Sequence, residues 1–246
     1  MPIYKRPPLI DAVIEGRFSQ ELKPAELEDI VKKLKKDYSF ERLNMQLETK
    51  TEVSDRGDVR QTTRGSNGRM LENDNQQLVV IVMPQSVAAG ARAPYPGWDI
   101  LFASFVNAWK ITKDISGFKT VTRIGSRFTN RIDIPIRDDV REINIADYLK
   151  VGIQSPGNHF IKNYDVSLVI KLDDDFSANI RTATTEPAIP LTSALLLDMD
   201  IYSTDNIPVR DDDLFEKIKL IQEKKNALFE SFVTDQSREI FNMEVV

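Results

Sequence analysis

Polar and apolar positions alternate from Leu9 to Phe18. Ile10, Ala12, Ile14 and Phe18 fall on one side; Asp11, Glu15 and Arg17 fall on the other with Val13. That period of two predicts a half-buried strand. Pro24 then opens a stretch in which Leu27, Ile30, Val31 and Leu34 recur at helical spacing, so a helix with one apolar stripe is expected. Strands are expected over 40–53 and 59–71, with hairpin turns at 54–58 and 65–68, where polar residues and glycines gather. The short apolar run 78–83 suits a well-buried strand. Pro94-Tyr95-Pro96-Gly97 breaks the chain. The helix after it carries Trp98, Leu101, Phe102, Phe105 and Trp109 on one stripe, expected to pack as core.

The remainder follows a similar order. A long alternating strand is expected over 120–134, a short helix over 145–150, strands over 160–172, 178–184 and 195–202, and a long helix from about 211 to 241. Leu214, Ile218, Ile221, Leu228 and Phe232 stripe that helix, and Asp211, Asp212 and Asp213 stand at its positive N-terminal end. Gly16-Arg17-Phe18-Ser19 is echoed by Ser126-Arg127-Phe128-Thr129. The pattern predicts an α+β protein of two similar strand-helix-strands-helix halves, 1–117 and 118–246, as a pseudo-repeat in one compact unit. Its sheet is expected to be mostly antiparallel with long helices on one face, since a half-apolar strand must bury that face. TATA-binding-protein-like and helix-grip folds are of this kind, an analogy that carries no function.

Composition narrows the chemistry. The chain has 246 residues, 41% hydrophobic and 29% charged, a net charge of −5 and no cysteine. The length suffices for a real core. The acidic balance argues against a general nucleic-acid or acidic-membrane binder, because neutralising phosphates needs a basic surface. Lack of cysteine excludes disulfides, thiol catalysis and thiolate metal sites. No stretch approaches the ~20 apolar residues of a membrane helix. The start, with Lys5, Arg6 and three prolines, is not expected to be a signal peptide. A cytoplasmic protein with no membrane association is the expectation.

Several segments resemble a sporadically distributed prokaryotic family of uncharacterised proteins of about this length. They are Pro7-Pro8-Leu9-Ile10-Asp11-Ala12-Val13 ending in Arg17-Phe18, then Tyr95-Pro96-Gly97-Trp98-Asp99, then the block from Arg123 to Asp133 reading RIGSRFTNRID. Leu197-Asp198-Met199-Asp200 and Phe229-Glu230, followed by Val233-Thr234-Asp235 and Phe241, complete the likeness in order over nearly the whole chain. The resemblance implies no established activity. Its patchy distribution is that of genes on mobile or defence islands, where partner and antitoxin proteins are common.

Few catalytic chemistries survive. His159 is the only histidine, so a multi-histidine zinc site is excluded; at a loop-to-strand junction it reads as polar surface. No nucleophile elbow, P-loop or dinucleotide glycine fingerprint occurs. Two patterns remain. Arg123, Arg127 and Arg131 recur every fourth residue on one strand, which puts them on one sheet face roughly 13 Å apart at ~3.3 Å per residue. Ile124, Phe128, Asn130, Ile132 and Ile134 point the other way. Guanidinium grips carboxylate or phosphate bidentately, so the row could bind a partner; the alternative is a solvated face balanced by acids on the next strand. Asp11, Glu15 and Arg17 are expected to share that face. Asp198 and Asp200 also share a face, either as Mg²⁺ ligands or as the acidic partners of the arginines. Arg56, Arg60, Arg64 and Arg69 lie among glycines in a basic hairpin, either a binding arm or a solvated loop.

The expected function is that of a non-enzymatic binding protein, a neutralising or scaffolding (antitoxin-like or defence-associated) partner of a co-encoded effector. Its expected binding residues are Arg123, Arg127, Arg131, Asp11, Glu15 and Arg64. A protein partner is expected ahead of a phosphate-bearing ligand or nucleic acid. No cofactor is required by this reading. The alternative is an Mg²⁺-dependent enzyme acting on a phosphodiester or nucleotide through Asp198 and Asp200.

Overall fold

The computed structural model describes residues 4–53, 59–136, 143–153, 157, 159 and 161–242, with the side chains of 46–53, 59–64 and 66 outside that description. The expected turn at 54–58, with Arg56, and the side chains of Arg60 and Arg64 therefore lie outside the described residues. In chain order the elements are β1 (Leu9–Phe18), α1 (Pro24–Leu34), β2 (Phe40–Val53), β3 (Val59–Glu72), β4 (Leu78–Met83), β5 (Ser86–Arg92), α2 (Trp98–Ser116), β6 (Val121–Pro135), β7 (Asp165–Lys171), β8 (Ser177–Thr185), β9 (Thr192–Ser203), α3 (Asp211–Phe232) and α4 (Asp235–Asn242). The strands take the order β2-β3-β4-β5-β1-β6-β9-β8-β7.

This architecture corrects the expected fold. A nine-stranded sheet dominates, and the helices do not form a layer of long elements over one face of two matching halves. Of the four α-helices among the described residues, two have only 11 and 8 residues. The helix expected over 145–150 is one 3₁₀ turn, Ile145–Asp147, where α1 stands in the first half. Periodicity over short windows marks an element but not how far it propagates.

The chain separates into two compact units. One comprises Ile14–Arg92 and Pro96–Thr122. Here β2–β5 pair as antiparallel neighbours, and Leu27, Ile30, Val31 and Leu34 form the buried stripe of α1. The expected turn at 65–68 is instead the middle of β3, where Gly65 stands across from Leu47 and Gly68 across from Asn44. Gly68 is there for contact: a Cβ would lie 2.3 Å from the Val82 carbonyl oxygen. The strand β5 had no strand-like signal, because SVAAGAR is rich in residues that strands disfavour. It is nevertheless almost wholly buried, and its small side chains let α2 pack closely on it.

Leu101, Phe105, Ala108 and Trp109 form the buried stripe of α2. Trp98 and Phe102, expected in that core, are half-buried and stack on each other with ring centroids 5.8 Å apart. The helix ends at Gly117, whose N–H still bonds the Lys113 carbonyl and whose φ of 70° turns the chain out of the helix. Trp109 lies flat against β1, where a Cβ on Gly16 would come within 2.5 Å of its ring. Gly16→Ala should thus cost about 1–3 kcal/mol through overpacking. Urea unfolding would read that loss, and an unchanged midpoint would show that the ring can shift aside.

The other unit comprises Met1–Val13, Ala93–Tyr95 and Arg123–Val246. Its strands β6, β9, β8 and β7 are successive antiparallel neighbours. The inward side of β6 is buried through Ile124, Phe128, Asn130, Ile132 and Ile134. Asn130 donates Nδ2 to the Leu197 carbonyl at 3.1 Å, which ties β6 to β9 from within the core. The single helix expected over 211–241 is two. Val233 adopts an extended conformation, is fully buried and bridges to Leu149. Thr234 Oγ1 then accepts from the Ser237 N–H at the start of α4. A β-branched pair at 233–234 favours this break.

Lys225 of α3 carries its ammonium 4.7 Å from the centroid of the Phe128 ring. Burial pushes its pKa down to about 8. A lysine whose folded pKa lies below its unfolded value holds fewer protons in the folded state between the two, so stability should rise from pH 8 towards 9.5. Lys225→Met should flatten that rise in equilibrium unfolding; a slope that survives the substitution would place its origin elsewhere.

Candidate functional site: a charged row on the open sheet face

Residues paired across an antiparallel ladder share a face, so the registers show what accompanies the arginines. Arg127 stands across from Asp200 and Thr129 across from Asp198. Asp198 stands in turn across from Arg181, and Asp200 across from Asn179. Arg181 is across from Ser167, with Asp165 two residues earlier on the same strand and Val169 two later. This face is solvent-accessible: the side chains of Arg127, Arg181 and Asp165 are 56%, 49% and 53% exposed, and Val169 is 76% exposed.

The acids on this face are the partners of the arginines. Arg127 reaches diagonally to Asp198, with Nε 2.8 Å from one carboxylate oxygen and Nη2 bonded to the other. That bidentate bond raises the Arg127 pKa above its ordinary value, and the charges of Asp200 and Asp11 add to the effect. Arg123 places Nη2 2.7 Å from both oxygens of Asp200 and its guanidinium 4.7 Å over the Tyr202 ring. Asn179 also donates to Asp200, at 3.2 Å. Arg131 has Leu196 across from it, so it turns to Asp133 on its own strand at 3.2 Å. Arg181 is held by both oxygens of Asp165, at 2.9 and 2.7 Å. Its guanidinium lowers the Asp165 pKa, and the charge of Asp198 helps raise its own.

The result is a row of alternating sign across five strands: Asp165 on β7, Arg181 on β8, Asp198 on β9, Arg127 on β6 and Asp11 on β1. The sequence marked Arg127, Asp198 and Asp11 but missed Asp165, Arg181, Asn179 and Tyr202. The sequence marked a strand over 178–184 without singling out Arg181 or Asn179; the register brings them beside Asp198 and Asp200. Glu15 belongs to the other unit, where it receives Arg17 Nε at 2.7 Å. Arg64 stands across from Glu48 in the β2–β3 ladder, and Arg69 pairs with Glu28 and Glu41 at 2.7 and 3.0 Å. The only histidine, His159, is exposed.

Asp198 is buried with Arg127 on it, and Asp200 serves Arg123 and Asn179. A divalent cation would have to displace a guanidinium from either carboxylate. Among the described residues no group of three or more His, Cys, Asp or Glu side chains is placed to hold a metal. Millimolar Mg²⁺ or Mn²⁺ should therefore leave the melting temperature unchanged. A rise that Asp198→Asn together with Asp200→Asn removes would favour the metal-dependent alternative.

No protein-family model and no curated protein matches this chain. No helix among the described residues is long and apolar enough to cross a membrane.

Proposed function

We propose that the chain is a non-enzymatic binding protein whose partner is another protein, engaged through the charged face of β6, β9, β8 and β7. The observation that carries this reading is the state of Arg127. Its carboxylate partner is buried while its own side chain is 56% exposed. Asp198 occupies Nε and Nη2, and among the described residues Nη1 makes no hydrogen bond. Arg181 is held by Asp165 in the same way, again through Nε and Nη2. Each acid thus orients a planar guanidinium and leaves outward donors for carboxylates or carbonyl oxygens on a facing surface. Arginine held beside tyrosine, as Arg123 is beside Tyr202, is the composition that concentrates binding energy at protein interfaces.

The resemblance to a sporadically distributed prokaryotic family makes a co-encoded effector the first partner to test, with this chain as its neutralising or scaffolding subunit in the cytoplasm. Lack of cysteine supports a reducing compartment. The test is co-expression with each neighbouring gene product, using the wild-type chain and the paired variant Arg127→Met with Asp198→Leu. One neighbour should co-purify with the wild type and be lost from the folded variant. Retention by the folded variant would remove this face as the contact surface.

A further inference from the structure

The sheet ends at β7. Its main chain pairs with β8 along its whole length, Asp165 across from Ala183 to Lys171 across from Ser177. Among the described residues, the opposite edge of the strand has no main-chain partner. Proteins normally protect such an edge with proline, a bulge or an inward charge. Between its two terminal charges β7 reads Val166-Ser167-Leu168-Val169-Ile170, with none of these devices. On the core side Ala178 and Ile180 of β8 are 0% and 1% exposed, whereas Leu168 of β7 is 41% exposed. The cover over the inner face therefore stops one strand short, leaving an apolar stripe beside an open edge.

We propose that this edge is a homodimer interface, in which two copies of the chain pair antiparallel through β7 about a twofold axis at Leu168. The occupant is identified by the sequence of the strand, which complements itself when reversed. With Leu168 on the axis, Asp165 of one copy stands opposite Lys171 of the other, and Val166 stands opposite Ile170. The twofold makes each of these pairs twice. A shift of two residues places Asp165 opposite Asp173 or Lys171 opposite Asn163, losing the charge match. A shift of one turns the apolar side to the wrong face. The terminal charges are available: the Asp165 and Lys171 side chains are 53% and 68% exposed. Their present partners, Arg181 and Asp174, lie in the same chain, and exposed pairs of that kind leave room for a second one. The stripes Val166–Leu168–Ile170 of the two copies become cross-strand neighbours on one face, the arrangement that stabilises paired strands.

The test is the mass of the full chain in solution, by light scattering and sedimentation equilibrium from low micromolar concentration upwards. The wild type should rise from the 28.1 kDa of one chain towards twice that value. Leu168→Lys puts two ammonium groups at the axis and should remain monomeric, with unchanged circular dichroism. Asp165→Lys and Lys171→Asp should each lose the dimer, since like charges then meet at both ends. The double swap should restore it, because every pair is again opposite in sign. If Leu168→Lys fails to fold, the rescue by the double swap decides. A wild type that stays at one-chain mass, a dimer indifferent to Leu168→Lys, or a double swap no better than the single swaps would each overturn the proposal. Leu168 stands across from the buried Ile180, on the side away from the charged face, so Leu168→Lys tells loss of the dimer apart from loss of the effector.

Discussion

Truncating Trp109 to alanine is expected to cost about 3–5 kcal/mol of folding stability, the range for removing a large aromatic side chain from a packed core. Trp109 is 4% exposed. Its ring lies 5.4 Å from that of Phe18 and 5.7 Å from that of Phe105, centroid to centroid, and it fills the space over Gly16. The void left behind could not close, because Gly16 offers no side chain to move into it and β1 is held in a sheet. For a chain of this length the melting temperature should fall by on the order of 10 °C. Trp98→Ala, at the half-buried end of the same stripe, should cost clearly less. Equal losses at the two positions would contradict the packing described here.

Arg127→Ala is the second large effect, about 3 kcal/mol, and the reason is the acid that remains. Asp198 is 6% exposed and takes guanidinium bonds from Arg127; among the described residues only a 3.4 Å contact from Thr129 Oγ1 would remain to it in the variant. A buried carboxylate left without its cation is costly, whereas replacing both members with apolar groups of similar shape is often nearly neutral. Arg127→Met with Asp198→Leu should therefore lie within about 1 kcal/mol of wild type, well above Arg127→Ala. Thermal unfolding of the wild type, Arg127→Met, Asp198→Leu and the double variant closes the cycle. A double variant as unstable as the single would mean that the pair, and not the stranded charge, sustains this part of the sheet. A double variant that keeps its fold is also the one in which a lost partner can be blamed on the missing guanidinium. Charge reversal at Arg127 could not separate these causes, since it would set two carboxylates against each other.

Alternation along Leu9–Phe18 and along β6 was enough to assign the inward and outward faces of those strands. Ile14, Ile124, Phe128 and Ile132 are buried where the period of two put them. Helical spacing likewise found the stripe of α1 and the inner half of that of α2. These are local properties, set by the geometry of one element against one apolar environment, and a linear pattern carries them. Other features needed the fold. SVAAGAR becomes a strand because a helix must approach it closely, a demand that propensity does not record. The last helix divides at Val233 because that residue finds Leu149 to pair with, far away in sequence. The arginine row was visible as spacing, but spacing could not tell a free cation from a neutralised one. That depended on which acids the register of β9 and β8 set beside it, and a slip of one residue would have turned Asp198 and Asp200 to the opposite face. Sequence by itself determined which side the residues of β1 and β6 would face; tertiary structure alone decided their neighbours, because partners on a sheet are chosen by pairing between segments distant in the chain.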